Sequence, residues 1–355
     1  MHWPPPIRRW TREGLALARD VAEDLLGDAD GAASEASRER FLAELTRLVS
    51  EGDSDEFFAL AESLAPDELW ALLESLGDAV EPENWDRVAE ALTDLTAARE
   101  ERERLAHPSA WRRALAVKRL GLLRHEPSRE AIRRALERGP APVTFAAAAA
   151  LARFGDFDAL RWLLEHPEAT STRRRFQLVA LLRRFGPGAA PIVRDALRGW
   201  EATAPIHLAA IELLGHFPEA QSVSLLTETL KSGGAEARVA AARALGGLGD
   251  LAPPLALQQA LDDPEWAVRA QAARSVGAIR YWPALAYLAN LVQHDTEWWV
   301  RRHAAVALGD MGDLGRDQLR QVAEQGDPLA REIALEVLEA PPSDPERAGG
   351  HSHVA

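Results

Sequence analysis

The sequence predicts an all-α protein: a right-handed α-solenoid of about eight helical hairpins, preceded by an N-terminal helical cap region. Two nearly identical phrases point to it, "DPEWAVRAQAARSVGAI" from Asp263 and "DTEWWVRRHAAVALGDM" from Asp295. A second helical pattern follows each phrase, and no stretch alternates with the period of two that a strand requires. Hairpins repeated at this spacing cannot bury their apolar faces alone, so they stack.

The repeat extends well beyond these two phrases. With Arg269 as the anchor, an aliphatic residue stands seven positions later, and this column recurs every 30 to 32 residues at Leu120, Leu151, Leu182, Leu214, Leu245, Val276, Leu308 and Leu338. Alanine dominates the column three positions after the anchor, which predicts close packing of successive anchor helices. Glycine eight positions after the anchor predicts a close backbone approach near the helix end, at Gly121, Gly215, Gly246, Gly277 and Gly309.

The repeated phrase, with its acid, Glu-Trp, Val-Arg and paired Ala, resembles the short bacterial HEAT repeat, also named for the phycobilisome-lyase HEAT-like proteins. The resemblance covers about residues 107–340 and is strongest over 233–312. It implies a solenoid of HEAT-like hairpins. It also implies that the recurrent Asp and Arg form a structural ladder of ion pairs, with Asp263 opposite Arg269 and Asp295 opposite Arg301.

Four segments are expected along the chain: an extended arm (1–9), an acidic helical region (10–106), the repeat solenoid (107–340) and a disordered tail (341–355). Helices are predicted at 10–27, 36–51, 54–64, 66–77 and 83–106. A solenoid needs polar ends, so the acidic region is interpreted as a cap; a separate helical binding domain is the alternative.

The N-terminal arm "MHWPPPIRRW" combines three prolines, which favour an extended left-handed helix, with aromatic and basic residues. It is interpreted as a docking motif for a partner or a membrane surface, carried by Trp3, Arg8, Arg9 and Trp10. Packing of its tryptophans onto the first helices is the alternative. The segment lacks the apolar core of a signal peptide, and the chain has no apolar run of membrane-spanning length, so a cytoplasmic location is expected.

The composition excludes several kinds of chemistry. There is no cysteine, which rules out disulfides, thiolate metal sites and cysteine nucleophiles, and there are only two lysines, Lys118 and Lys231. The formal charge is −14, but residues 107–190 hold 16 basic and 7 acidic residues. Such an acidic chain argues against general nucleic-acid binding, although its basic middle suits an anionic partner.

No catalytic motif is evident. Phosphate-binding loops, zinc-protease motifs and nucleophile elbows are all missing from the sequence. The HEAT-like deoxyhypusine hydroxylases carry repeated His-Glu pairs for two irons, whereas this chain has one such pair, His125-Glu126. The prediction is therefore a protein that is not an enzyme, with no catalytic residue, no metal and no cofactor.

A binding surface is predicted instead on the concave face of the solenoid, where anchor helices are expected to present the second, fifth and ninth positions after the anchor. The residues assigned to this face are Lys118, Arg153, Arg184, His216, Arg243, Arg274 and His303. Trp299 is the candidate for an exposed aromatic contact. Trp266 and Trp298 are expected to pack at the helix start, and Trp111, Trp162, Trp200 and Trp282 to lie in the core.

These features favour a scaffold, adaptor or assembly factor that holds a protein partner, with an acidic segment of that partner on the basic stripe. Two alternatives remain open. One is nucleic-acid binding or DNA-alkylation repair through the basic middle repeats. The other is a tetrapyrrole lyase or chaperone, which only the family resemblance suggests. The oligomeric state and the identity of the partner are left undetermined by the sequence.

Overall fold

A computed structural model describes residues 35–52, 54–77, 82–198 and 203–340, and this part of the chain is helical without any strand. The arm with Trp3, Arg8, Arg9 and Trp10, the predicted helix 10–27, Trp200 and the tail from residue 341 lie outside the described residues. Among the described helices, none combines the length and the apolar character that crossing a bilayer requires.

The chain divides into two compact units between Ala159 and Leu160. The predicted division at residues 106 and 107 falls inside the first unit. The helices up to the division are α1 (Glu35–Glu51), α2 (Asp55–Ser63), α3 (Pro66–Leu76), α4 (Pro82–Ala91), α5 (Thr96–Arg104), α6 (Ala110–Leu122), α7 (Arg129–Arg138) and α8 (Ala141–Arg153). Helix α9 (Phe157–Glu165) contains the division point.

The second unit continues the same alternation of helices. Its helices are α10 (Arg175–Arg183), α11 (Ala189–Leu197), α12 (Pro205–Leu214), α13 (Ala220–Ser232), α14 (Ala235–Gly247), α15 (Pro254–Gln259), α16 (Trp266–Ala278), α17 (Leu285–His294), α18 (Trp298–Asp310), α19 (Gly312–Gln325) and α20 (Pro328–Glu339). The even-numbered helices from α6 to α20 carry the anchor position and are called anchor helices below.

In the first unit, the helices that precede the repeats share one core with the first anchor helix. Trp70 and Trp85 are almost fully buried, together with Leu122 and Leu123 at the end of α6. The indole N–H of Trp85 donates to the carbonyl oxygen of Leu122 at 2.6 Å. The helices from residue 35 onward and the first anchor helix therefore share one hydrophobic core within the first unit.

The single helix predicted at 83–106 is wrong, because the chain forms α4 and α5 with a turn between them. Leu92 and Leu95, which flank this turn, are both fully buried, so the reversal places two apolar side chains in the core. The first N–H of α5, on Thr96, donates to the Glu62 carboxylate at 2.7 Å. A neighbouring helix thus supplies the cap that the local sequence lacks.

The second unit is built by stacking anchor helices side by side. Helices α10, α12, α14, α16, α18 and α20 each pack against the next, and α11 and α17 pack against α13 and α19 in a second layer. The alanines three positions after the anchor, such as Ala241, Ala272 and Ala304, are fully buried. This arrangement is the predicted all-α hairpin stack, and the alanine column lies at the contact as expected.

The glycine column marks the tightest contact between neighbours. A Cβ atom added at Gly277 would lie 2.7 Å from the Cβ and 2.9 Å from the Cα of Ala307 on the next anchor helix. At Gly246 it would lie 2.7 Å from the Cβ of Ser275. Both neighbours stand six positions after their own anchor. The closest contact between successive anchor helices is therefore made by the same two repeat positions, +8 on one helix and +6 on the next.

The turn that ends each anchor helix is also repeated. Eleven positions after the anchor, the backbone is left-handed in six repeats, at Arg124, Gly155, Gly186, Gly249, Arg280 and Gly312. The repeat anchored at His207 carries Pro218 there, which cannot adopt this conformation. Residues that follow the turn therefore leave the anchor helices in equivalent directions.

The ion-pair ladder exists, but the pairing predicted within one repeat is wrong. Arg269 binds the carboxylate of Asp295, not that of Asp263, with nitrogen–oxygen distances of 2.7 and 2.9 Å. Asp263 pairs with Arg238 at 2.8 Å, and Arg301 pairs with Asp327 at 2.7 Å. Each arginine therefore binds an aspartate of the next repeat and links two hairpins.

The anchor arginine has a second role within its own repeat. Arg269 donates through Nη1 to the carbonyl oxygen of Asp263 at 2.9 Å, and Arg238 donates to that of Gly233 at the same distance. The planar guanidinium can satisfy both directions at once because its donors form a rigid fork. The resemblance correctly identified the residues, while the forward reach became visible only in the stacked structure.

We expect Gly277→Ala to destabilise the protein by about 1–3 kcal/mol, because the new methyl group overlaps Ala307 in a packed contact. Chemical denaturation followed by circular dichroism measures the effect. Gly234→Ser is the control: a Cβ there meets open space, and serine suits the helix start that residue 234 precedes, so the change should stay within about 0.5 kcal/mol. Equal stability of the two variants would contradict the close approach.

The ladder predicts an acid-dependent loss of stability. Burial raises the pKa of Asp295, but hydrogen bonds from Arg269 and from the Glu297 N–H outweigh it, and the pKa is lowered overall. The stabilisation is therefore present above the unfolded-state pKa of about 3.9 and is lost as pH falls through the lower folded-state pKa.

Asp295→Asn should consequently be less stable than the parent at pH 7, and the difference should shrink as the pH falls below about 4. Denaturant titrations at several pH values measure it. Asp317→Asn is the control, because its pair with Arg320 is more than half exposed on both sides and contributes little. A gap between parent and Asp295→Asn that stays constant with pH would refute the role of this carboxylate.

Candidate functional site

In the second unit, the anchor helices α14 and α18 leave one ridge open to solvent. Relative to the anchor, its positions are −3, +1, +5 and +9, which follow one another at the four-residue spacing of a single helix face. On α14 these are Ala235, Val239, Arg243 and Gly247, none of which is buried. The predicted fifth and ninth positions lie on the ridge of α14, but the equivalent face is interrupted by buried residues on α12 (Leu208 and Glu212) and on α16 (Ala270).

The second position does not lie on this ridge, and its predicted exposure is wrong. Ala209 and Ala240 are fully buried, and Gln271 is buried as well. The second position is turned by about 100° from the first, which points it at the neighbouring anchor helix. His303, also at this position, is half-buried beside the ridge.

Tryptophans stand at the start of the ridge on α16 and α18. Trp266 and Trp298 occupy position −3 of successive repeats and are 41% and 40% exposed, and Trp299 is 52% exposed. The rings of Trp298 and Trp299 meet edge to face, with centroids 4.6 Å apart. Trp299 also stacks on His303, with centroids 6.1 Å apart. Four aromatic side chains thus line one stretch of surface.

Two arginines accompany these rings. The guanidinium of Arg302 lies 5.6 Å from the ring centroid of Trp298 and also forms two hydrogen bonds of 2.7 Å to the Glu336 carboxylate. Arg274 is exposed on α16, and among the described residues it enters no ion pair. We call the group Trp266, Arg274, Trp298, Trp299, Arg302 and His303 the Trp–Arg cluster.

The electrostatics of the cluster show that its cationic groups are close together. Burial lowers the pKa of His303, and the positive charges of Arg274 and Arg302 lower it further. His303 is therefore neutral at pH 7, and its ring offers an uncharged stacking partner to Trp299. Arg274 and Arg302 supply the positive charge of the cluster.

The middle of the ridge is occupied by an internal polar network. The buried carboxylate of Glu212 accepts hydrogen bonds from Arg243 at 2.9 Å and from Arg175 at 3.4 Å. Arg243 also donates to Gln271 at 3.3 Å, and Gln271 donates to Ser275 at 3.2 Å. Arg243 is thus committed to neighbours, so this network holds adjacent helices together rather than presenting free charge.

The remaining residues of the predicted stripe differ in their surroundings. In the first unit, Lys118 pairs with Glu74 at 2.5 Å, and Arg153 is half-buried. In the second unit, Arg184 and His216 are both exposed at position +9. The residues of the predicted stripe therefore differ in burial and in pairing. In the second unit, the Trp–Arg cluster combines exposed tryptophans with an exposed arginine.

Histidine does not gather into a metal-binding group in the described part of the chain, where no cluster of three or more suitable ligands occurs. His125, the member of the His-Glu pair, is almost fully buried. Its Nδ1 lies 2.7 Å from the Ser128 hydroxyl and its Nε2 lies 3.0 Å from the Thr93 carbonyl oxygen. Both ring nitrogens are within hydrogen-bonding distance of a partner, so this histidine has a structural role.

The structure exposes several tryptophans that the sequence predicted to be packed or buried. Trp266 and Trp298 were expected to pack, and Trp111 and Trp282 to lie in the core, yet Trp111 is 69% and Trp282 46% exposed. Trp162 is half-buried and stacks on His166, with centroids 4.4 Å apart. The spacing of Trp266 and Trp298 indicates their exposure, because position −3 shares a helix face with positions +1 and +5 and lies opposite the small-residue columns.

Comparison with known proteins identifies the repeat. A family model for HEAT repeats matches residues 253–339, which confirms the repeat type in this range. No curated protein sequence matches the chain.

Solved structures similar to the chain include three of different function. Human deoxyhypusine hydroxylase is 19% identical, with 86% of this chain and 97% of that chain covered and a TM-score of 0.30. The complex of CpcE and CpcF of phycocyanin lyase from Nostoc sp. PCC7120 is 21% identical, with coverages of 68% and 93% and a TM-score of 0.32. A Kap121p mutant is 13% identical, with coverages of 92% and 48% and a TM-score of 0.38. Similarities at this level say nothing about activity or partner.

The cluster predicts a specific response of His303. Arg274→Gln should raise the pKa of His303 towards its ordinary value, because a nearby positive charge that disfavours protonation is removed. Titration of the imidazole resonances by NMR, assigned with His303→Asn, measures this shift. Arg331→Gln on α20, which is not among the charges that lower this pKa, is the control and should leave it unchanged. An unchanged pKa of His303 in Arg274→Gln would show that Arg274 does not belong to the cluster.

Proposed function

We propose that the protein is a non-catalytic scaffold that binds a segment of a partner protein along the ridge of its anchor helices, with the Trp–Arg cluster as the main contact. The observation that carries the proposal is the exposure of Trp266, Trp298 and Trp299 beside Arg274 on two adjacent helices. Tryptophan and arginine are enriched among the residues that dominate binding energy at protein interfaces.

The cluster suits a partner segment that carries both an apolar and an acidic side chain. The tryptophan rings offer apolar area at low cost in conformational entropy, since an indole has few rotatable bonds. Arg274 enters no ion pair among the described residues, so its guanidinium is available to a carboxylate of the partner. The acidic segment of the partner, which the sequence placed on the whole basic stripe, is therefore expected to contact one arginine, Arg274.

The rigidity of the surrounding helices supports the same function. The ridge is held by the inter-repeat pairs of Arg269 and Arg301 and by the buried network around Glu212. A binding surface on rigid helices loses little conformational freedom when a partner docks, which favours affinity. A cytoplasmic location and the absence of enzymatic activity belong to this proposal as expectations.

Nucleic-acid binding remains the alternative, based on the basic middle of the chain. In the structure, much of that charge is compensated: Arg119 bonds the buried carboxylate of Glu101 at 2.7 Å, and both Arg129 and Arg133 bond Asp156. Phosphate binding would require these pairs to break, at an electrostatic cost. The compensated charges therefore favour the protein partner.

The proposal predicts which substitutions abolish partner binding. We expect Trp299→Ala and Arg274→Glu each to weaken binding by about 10-fold or more, as is typical for a central aromatic or arginine contact. A tagged protein is recovered from its native cell with and without nuclease, and the affinity of the recovered partner is then measured by calorimetry.

Trp111→Ala provides the matched control, since Trp111 is the more exposed tryptophan at 69% and lies in the first unit, outside the cluster. It should bind like the parent protein. If Trp299→Ala and Arg274→Glu also bound like the parent, the cluster would not be the contact. Recovery that disappears with nuclease would support the nucleic-acid alternative instead.

A further inference from the structure

Leu251, Trp282 and Leu314 occupy one position in three successive repeats, thirteen residues after the anchor. They are 43%, 46% and 59% exposed. Single exposed apolar residues are common on protein surfaces and need no explanation, but three large ones at one repeated position form a pattern.

The shared turn gives these side chains a common direction. Each follows the left-handed residue of its turn by two positions, after Gly249, Arg280 and Gly312. The anchor helices that lead into these turns, α14, α16 and α18, pack directly side by side. Leu251, Trp282 and Leu314 therefore form a row across three hairpins, separated by the distance between helix axes of about 8–10 Å.

The fold does not require this row for its core. The second helices α15, α17 and α19 are anchored by other leucines, which are all fully buried: Leu257, Leu288 and Leu319. Leu255 and Tyr287 lie on the same helices as these leucines but are 64% and 46% exposed. We call Leu251, Leu255, Trp282, Tyr287 and Leu314 the turn surface.

The turn surface is separate from the Trp–Arg cluster. Trp266 begins the anchor helix α16, whereas Trp282 follows its end, and a helix of 13 residues is about 20 Å long. The charge also differs between the two surfaces. Asp250 and Asp313 are exposed immediately before Leu251 and Leu314, and Asp310 is half-exposed nearby. Among the described residues, none of these three aspartates enters an ion pair.

We propose that the turn surface is a second docking site, which binds a basic amphipathic helix of a partner protein. A helix advances about 10.5 Å in seven residues, so apolar side chains at heptad spacing match the row of three hairpins. Leu255 and Tyr287 add exposed apolar side chains on the helices that follow the turns, which suits the broad apolar face of such a helix. Lysine or arginine beside that face complements Asp250, Asp310 and Asp313.

Site-specific photo-crosslinking tests this assignment in the native cell. A benzophenone amino acid replaces Tyr287, and the same replacement at exposed Gln325, at the end of α19 that is far from the turn, is the control. The crosslinked peptide is identified by mass spectrometry, synthesised, and titrated against the full chain by fluorescence anisotropy. We expect a peptide with apolar residues at heptad spacing and a net positive charge, and no comparable product at residue 325.

Binding of that peptide should fall by 10-fold or more in a Leu251→Ser, Trp282→Ser, Leu314→Ser variant, and it should weaken with added salt because of the aspartates. Circular dichroism checks that the variant remains folded, and Asp250→Asn with Asp313→Asn, which leaves the apolar row intact, should weaken binding independently. Trp299→Ala should not affect this peptide, which distinguishes the turn surface from the ridge whatever becomes of the proposed function.

Three results would overturn the proposal. One is a product that is acidic or lacks the heptad spacing. Another is a crosslink to a second copy of this chain, or to its own residues 1–34 or 341–355, which would make the surface a self-association site. The third is crosslinking at residue 287 no stronger than at residue 325.

Discussion

Successive anchor helices lie so close together that a single methyl group would not fit between Gly277 and Ala307. This contact sets the spacing of the hairpins, and the spacing in turn fixes how far the side chains of one repeat can reach into the next. The forward reach of Arg238 and Arg269 to Asp263 and Asp295 depends on it. If the helices were one side chain further apart, these pairs would be stretched beyond hydrogen-bonding distance.

The same contact limits which faces of the anchor helices are available for binding. Small residues are required wherever anchor helices meet, so those columns are unavailable for binding. The ridge at positions −3, +1, +5 and +9 and the turn that follows each helix are free of this requirement. Both carry large side chains in the last repeats, with tryptophan and arginine on the ridge and leucine, tryptophan and tyrosine at the turns. In this regular scaffold, the side chains that differ between repeats therefore lie on the ridge and at the turns.

Charge on such a surface is informative only after its partners are known. Arg243 and Arg274 occupy the same repeat position and look equivalent in the sequence. Arg243 bonds Glu212 and Gln271, which makes it part of the scaffold, whereas Arg274 faces solvent beside His303. A guanidinium already bonded to a carboxylate has little to offer a ligand, so the proposed binding surface is chosen by the arginine without an ion pair and not by the number of arginines.

The sequence alone determined the helical repeat, its register and the residues of the closest contacts, because each of these depends on local periodicity and side-chain size. It also identified the members of the ion-pair ladder. Only the tertiary structure decided their pairing, the break between α4 and α5, the burial of the second position and the exposure of Trp266, Trp282 and Trp298. These properties depend on which neighbour covers a given face, and a one-dimensional pattern fixes the spacing of residues on a helix without specifying what packs against it.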